Sequence, residues 1–239
     1  MNAPLYPNQP LTEVATEVKF KGNLAVETVR ADFQSRITEQ YPILLVPGAQ
    51  QGIAPPLQPY RFEREDRLAG IQLAINSFSY YSREYPGHES FLAEIENALG
   101  IFSDMVDSIE VTRIGWRYIN AIPFTRENGL LPLSRFFRED TIFGDSFKKD
   151  IRDLSYRVTL PIKEKQLNAK LDCAELEQES GEEALLLDID AFNIKEPALS
   201  MKPLTALEEI NDLHSIAYET FESLITDNYR AFLKGDNDD

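Results

Sequence analysis

The sequence predicts an α+β fold, in which a ferredoxin-like βαββαβ first half precedes an antiparallel meander covered by a long C-terminal helix. Several short segments alternate apolar and polar residues, which is typical of half-buried strands. Three other segments repeat apolar residues every three or four positions, which is typical of amphipathic helices. Over residues 1–124 these segments follow the order strand, helix, strand, strand, helix, strand.

The first strand and helix follow directly from periodicity. Alternation over residues 13–20 predicts a strand, and Gly22–Asn23 supplies the turn after it. Apolar residues at spacings of three and four then predict a helix from Val26 to Ile37. We expect this helix to end at Tyr41, because a residue before proline is pushed out of the helical region.

Residues 42–59 predict a long loop, because they contain five prolines and two glycines. Such a loop is either a lid or simply mobile. Two strands are predicted next, at Tyr60–Phe62 and Ile71–Ile75, around a turn at residues 66–70. The aromatic residues that follow, between Phe78 and Tyr85, are interpreted as sheet packing.

A second amphipathic helix is predicted from Phe91 to Val106, and it leads into residues 109–122, the most strand-like stretch of the chain. Residues 125–150 are polar and irregular, with a short helix near residues 133–137. We expect three more strands, at residues 154–160, 167–173 and 185–192, with a turn at residues 179–182 between the last two.

The C-terminal helix is predicted from Pro203 to Leu233, packed across this second group of strands. Residues 125–235 should pack with the first half as one compact unit, because no linker separates them. The tail, residues 236–239, has the composition of a disordered end.

Composition excludes several classes of function. Lys and Arg number 24 against 40 Asp and Glu, a net charge of -16, so we expect no binding to nucleic acid. The acidity serves either solubility or steering toward a protein partner with a basic surface. One cysteine, Cys173, fits a reducing cytoplasm. Neither a signal peptide nor a membrane span is predicted.

The segment from Arg113 to Asn120 is the strongest candidate for a binding site. Strand alternation places Arg113 and Arg117 on one face, and Tyr118 and Asn120 on the other. Gly115 lies between the arginines and leaves space beside them. The pair is either a fork for a carboxylate or phosphate, or two salt-bridged arginines on an acidic surface.

His214 lies on the apolar seam of the last helix, and only His88 exists beside it. It is either a hydrogen-bonded histidine at the core boundary or part of a binding site. Asp188 and Asp190 share a strand face, with Asp172 across the sheet, and the three are either a carboxylate cluster for a divalent cation or solvent-facing strand acids. We expect no metal and no cofactor, because none of the common nucleotide, zinc or hydrolase motifs occurs.

Three segments carry a resemblance to a family. They are the opening Pro10–Val14, the central R-x-G-x-R-Y-x-N from Arg113 to Asn120, and a late Leu213–His214 pair followed by Phe221. Over nearly its whole length the chain resembles a sporadically distributed family of uncharacterised bacterial proteins. That family often has tryptophan where Leu213 stands. Its patchy distribution implies an accessory role in defence or toxin–antitoxin loci.

Two functional hypotheses follow. The first is a non-catalytic binding or regulatory protein that acts through protein–protein contacts, which the acidity and the missing catalytic motifs favour. The second is a small-ligand-binding protein or an unfamiliar enzyme. Its anion-recognising cavity would lie between the meander and the last helix and use Arg113, Arg117 and His214.

Overall fold

The computed structural model of the chain describes residues 5–48, 58–138, 151–162, 165–175 and 183–236. The predicted turn at residues 179–182, residues 49–57 of the predicted 42–59 loop and residues 237–239 of the tail lie outside these ranges.

The described strands form one antiparallel sheet of nine strands in the order β2-β3-β4-β5-β1-β6-β9-β8-β7. The fold is therefore mixed α+β, as predicted. The strands are β1 Leu11–Phe20, β2 Ile43–Leu45, β3 Tyr60–Glu63, β4 Ala69–Ala74, β5 Ser77–Ser82, β6 Ile109–Phe124, β7 Ser155–Ile162, β8 Lys165–Glu175 and β9 Glu183–Met201.

The first half contains two strands that the sequence did not predict. Strand β2 lies inside the predicted 42–59 loop and pairs with β3. Strand β5 follows β4 after a turn of only two residues, Ile75 and Asn76, which lacks the glycine or proline that marks most turns. Its aromatic residues Phe78 and Tyr80 are buried sheet residues. The described order from β1 to β6 is thus strand, helix, four strands, helix, strand.

The two halves share the sheet, because β6 of the first half pairs along most of its length with β9 of the second. Strands β7, β8 and β9 are neighbours in sequence order, so they form the predicted meander. The long strands β6 and β9 lie side by side, so the residues of these two strands have neighbours from both halves of the chain.

The helices are α1 Ala25–Ile37, α2 His88–Ser103, α3 Leu133–Phe136, α4 Ala206–Leu224 and α5 Asp227–Lys234, with a 3₁₀ turn at Pro203–Thr205 before α4. No helix within the described ranges combines the length and the hydropathy of a membrane-spanning helix. The single C-terminal helix predicted from Pro203 to Leu233 is wrong, because Ile225 is extended, with φ -83° and ψ 150°, and separates α4 from α5.

Helices α1, α2 and α4 lie on one face of the sheet. Strand pairing puts Phe62, Tyr80 and Trp116 on that face. Phe33 of α1 packs against Phe62, and Phe91 of α2 packs against Trp116. Helix α4 packs on both β6 and β9, so it covers the junction of the two halves. We had predicted that it would cover only the strands of the second half.

We name the two sides of the sheet by their residues. The helix face carries the fully or almost fully buried Val14, Val18, Ile114, Trp116 and Tyr118. The polar face carries Glu13, Glu17, Lys19, Arg113, Arg117, Asp188 and Asp190.

Candidate functional site

The candidate strand β6 runs between β1 and β9, and its residues alternate between the two faces. Trp116 is completely buried on the helix face, whereas the Arg117 side chain is 49% exposed on the polar face. The predicted division of this strand into two faces is confirmed. The neighbours of each side chain come from β1 and β9, which the alternation alone does not reveal.

Arg113 is held on the polar face by partners from two other strands. Its Nη1 donates to Glu17 Oε2 of β1 at 3.0 Å, and its Nη2 donates to both carboxylate oxygens of Asp190 of β9 at 2.7 Å. The guanidinium also lies 4.6 Å from the centre of the Phe192 ring. Charge-assisted hydrogen bonds and stacking on an aromatic ring together fix its position.

Gly115 makes room for this guanidinium. A Cβ at residue 115 would lie 2.6 Å from Arg113 Nη1, which is closer than any normal contact. The space that we expected to be left open for an anion is therefore occupied by the side chain of Arg113 itself.

Arg117 forms a bidentate pair with Asp188. Its Nε and Nη2 donate to the two carboxylate oxygens at 2.7 Å each. Hydrogen bonding to Asp188 raises the pKa of Arg117. Both arginines are thus paired within the chain, and Asp188 and Asp190 are their partners. Asp172 accepts a hydrogen bond from Ser155 Oγ, and the described residues contain no group of three metal-ligating side chains.

A groove of about 480 Å³ follows the polar face across the central strands. Three acidic and three basic residues line it, namely Glu13, Glu17, Asp190, Lys19, Arg113 and Arg117. Its other lining is mainly uncharged and polar, including Gln72, Ser79, Tyr81 and Asn168. The groove therefore offers balanced charges and hydrogen-bonding groups on rigid strands.

His214 lies on the opposite, helix side and is 1% exposed. Its ring stacks on that of His88 with centroids 3.6 Å apart, and it contacts Trp116 edge-on at 4.9 Å. Neither ring nitrogen has a hydrogen-bond partner within the described ranges. The expected hydrogen-bonded histidine at the core boundary is therefore wrong. His214 is instead an unpartnered histidine inside an aromatic cluster.

The start of α2 places His88 in this stack. Gly87, with φ 93°, adopts a conformation that favours glycine, and His88 begins the helix directly after it. His88 Nε2 donates to Asn211 Oδ1 of α4 at 2.8 Å. Burial lowers the pKa of both histidines, and for His214 to about 3, with the nearby His88 as a second cause. Both rings are neutral near pH 7.

Tyr118 and Asn120 also lie on the helix side. The Tyr118 hydroxyl donates to that of Tyr85 at 3.4 Å, and Asn120 Nδ2 donates to the carbonyl oxygen of Leu187 at 3.1 Å. Both line a small cavity of about 50 Å³, together with Tyr6, Tyr218 and Phe221. The five predicted site residues are thus divided by the sheet, and they do not form one site.

Comparison with known proteins adds no assignment: no protein-family model matches this chain, and a search of curated proteins also found no match. The resemblance carried by the central R-x-G-x-R-Y-x-N motif therefore stays a prediction.

Proposed function

We propose that this protein is a non-catalytic binding or regulatory protein that recognises a protein partner through the polar face of its sheet. The observation that carries this proposal is the groove of about 480 Å³ on β1, β6 and β9. Its charged side chains are fixed before any partner arrives, because Arg113 and Arg117 are paired with carboxylates of neighbouring strands. A preorganised surface loses little conformational entropy on binding.

The charge distribution supports a partner with a basic surface. The groove itself carries equal numbers of acidic and basic groups, so short-range contacts there are hydrogen bonds and balanced ion pairs. The whole chain carries a net charge of -16, which attracts a basic protein over longer distances and repels nucleic acid.

The state of the histidines supports a non-catalytic role over an enzymatic one. A general base near neutral pH needs a partner to orient it and access to substrate. In the described part of the chain, the ring nitrogens of His214 contact no acid and no nucleophile, and the residue is 1% exposed. The alternative that combined Arg113, Arg117 and His214 in one cavity is disfavoured, because the sheet lies between them.

Three finer expectations belong to the same proposal. We infer a ferredoxin-like unit in the first half, supported by the strand order β4-β5-β1-β6 and by α1 and α2 on the helix face. We infer a cytoplasmic protein, supported by its one cysteine. The motif resemblance supports an accessory role in a defence or toxin–antitoxin locus.

Native mass spectrometry of the protein purified from its own lysate tests the proposal. We expect a stoichiometric protein partner with the unaltered chain. The double variant Arg117→Ala with Asp188→Ala should lose it, because it removes a pair on the polar face without changing the net charge. The matched control is Arg36→Ala with Asp104→Ala, which removes the pair between α1 and the end of α2, on the other side of the sheet.

Two outcomes would contradict the proposal. One is a partner that stays bound to the polar-face double variant as tightly as to the unaltered chain. The other is a small molecule that co-purifies at a stoichiometric ratio while no protein does, which would favour the ligand-binding alternative.

A further inference from the structure

A second cavity, of about 390 Å³, lies at the end of β6 next to α3 and α5. It is separate from the groove of the polar face and from the histidine cluster, with which it shares no lining residue. Its walls are largely apolar and aromatic, formed by Ile122, Phe124, Phe136, Tyr229 and Phe232. The volume is in the range typical of small-ligand sites, and so is an apolar wall with a few polar groups.

The charged groups of this cavity are Arg135 and Glu183. Glu183 is neutralised by Arg126, whose Nε and Nη2 donate to its two carboxylate oxygens at 2.7 Å and 2.5 Å. Arg135 has no carboxylate partner among the described residues, and its guanidinium lies 5.8 Å from the centre of the Phe136 ring. Counting the described residues alone, the cavity carries one uncompensated positive charge, in a chain whose net charge is -16.

Two further donors line the same cavity. Tyr229 is 6% exposed, and its hydroxyl has no hydrogen-bond partner within the described ranges. Burial raises the pKa of Tyr229, so the hydroxyl keeps its proton and can donate. Asn228, which is exposed, adds a side-chain amide that has no protein partner in the described part of the chain. Both groups line the cavity and can donate a hydrogen bond to a ligand acceptor placed there.

The backbone around Arg135 is fixed by the α4–α5 junction. Thr226 N donates to the Phe136 carbonyl oxygen at 3.0 Å, and Thr226 Oγ1 donates to the Arg135 carbonyl oxygen at 2.9 Å. Arg138 N donates to the Leu224 carbonyl oxygen at 2.8 Å. The cavity is thus built by tertiary hydrogen bonds on both sides of Arg135, which gives a preformed site.

We infer that this cavity binds a carboxylate attached to an aromatic or branched apolar group. The guanidinium of Arg135 pairs with the carboxylate, and the apolar group fills the space between the aromatic walls. Such a ligand comes from one of two sources: a free small carboxylic acid, or the C-terminal carboxylate of a peptide that ends in an apolar residue. The inference is independent of the function proposed for the polar face.

Isothermal titration calorimetry of the full chain with phenylbutyrate tests this inference. We expect saturable binding, weakened about tenfold or more in Arg135→Gln, because the variant removes a charge-assisted hydrogen bond. Arg135 is exposed, so this variant should fold normally. Phenylbutanamide, which keeps the apolar group but lacks the charge, should bind the unaltered chain about tenfold more weakly or worse. The control variant Arg36→Gln removes a positive charge on α1 and should bind phenylbutyrate normally.

A second titration distinguishes the two sources. The probe is acetyl-Gly-Gly-Phe with a free C-terminus, compared with the same peptide amidated. Tighter binding of the free-acid peptide than of phenylbutyrate assigns a chain terminus, and the reverse assigns a small acid. Failure of both carboxylates to bind overturns the inference, as does equal binding by Arg135→Gln or by the uncharged probes.

The polar-face double variant, Arg117→Ala with Asp188→Ala, should bind phenylbutyrate as the unaltered chain does, since those residues do not line this cavity. Failure of the carboxylate site therefore leaves the proposal for the polar face intact, and failure of that proposal leaves the carboxylate site intact.

Discussion

At Arg113, three strands contribute to the position of one guanidinium: Glu17 from β1, Asp190 and Phe192 from β9, and the space over Gly115 in β6 itself. The carboxylates of Glu17 and Asp190 neutralise the guanidinium, and the Phe192 ring stacks on it, so Arg113 is part of a network. Removing one member would leave a partly buried charge without its partner, which costs more than the loss of an exposed pair.

The two faces of β6 should respond differently to mutation. Trp116→Ala should lower the free energy of unfolding by about 3–5 kcal/mol, because it leaves a cavity in the core. Arg117→Ala removes a pair whose arginine side chain is 49% exposed, so it should cost about 0–1 kcal/mol. Urea unfolding of both variants measures this, with Trp116→Phe as an aromatic control that should cost less than Trp116→Ala. Equal losses in the two alanine variants would show that Arg117 is also part of the core.

The stacked histidines should make the protein sensitive to acid. The folded pKa of His214 is lowered from 6.5 to about 3, so between these values the unfolded chain binds a proton that the folded chain excludes. The stability contributed by neutral His214 is complete above about pH 6.5 and is lost as pH falls toward 3. Between about pH 7.5 and about pH 5, the contribution of His214 to the free energy of unfolding should fall by about 2 kcal/mol.

The described aromatic groups that surround His214 offer no compensating charge. They are His88 from α2, Trp116 and Tyr118 from β6 and Tyr218 from its own helix. Urea unfolding of the unaltered chain and of His214→Phe at the two pH values checks the prediction. The variant should lose less stability on acidification, and an identical pH dependence in both proteins would contradict it.

At the scale of elements, the junction between α4 and α5 joins the C-terminal helices to α3. Ile225 forms a β-bridge with Phe137, and this pairing holds the chain extended where helical periodicity would continue. Thr226 then begins α5 as its N-cap, with its side chain accepting a hydrogen bond from Tyr229 N. The break in the helix is thus stabilised by contacts with a segment about 90 residues away in sequence. The hydrogen bond from Thr226 to Arg135 is one of these contacts.

We expect Thr226→Ala to destabilise the protein by about 0.5–2 kcal/mol, because it removes the N-cap of α5. The same change removes the hydrogen bond from Thr226 Oγ1 to Arg135 O, so phenylbutyrate binding should weaken as well. Thr226→Ser keeps the hydroxyl and is the matched control. Thermal unfolding and calorimetry measure the two effects, and a Thr226→Ala protein as stable as Thr226→Ser would show that the cap contributes nothing.

At the scale of the whole molecule, the net charge of -16 should control how fast a basic partner associates. The association rate should fall as salt shortens the Debye length from about 10 Å to about 3 Å, while the dissociation rate changes little. Stopped-flow mixing with the partner identified by mass spectrometry measures both rates. An association rate that does not depend on salt would remove the role assigned to the acidity.

Features that depend on local periodicity or on composition can be read from the order of the amino acids alone. Alternation placed Trp116 and Arg117 on opposite faces of β6, because successive side chains of any strand point to opposite sides. The spacing of apolar residues by three and four likewise predicted helices α1 and α2. The acidity is a property of composition alone.

The contacts of each side chain, by contrast, became apparent only in the folded chain. Arg113 is paired with residues 96 and 77 positions away, and no local pattern distinguishes that pairing from a free anion site. The stacking of His88 on His214 and the cavity at Arg135 depend in the same way on distant segments that the fold brings together. Periodicity acts over a few residues and is readable from the chain, whereas partner identity is set by strand register and helix packing across the whole fold.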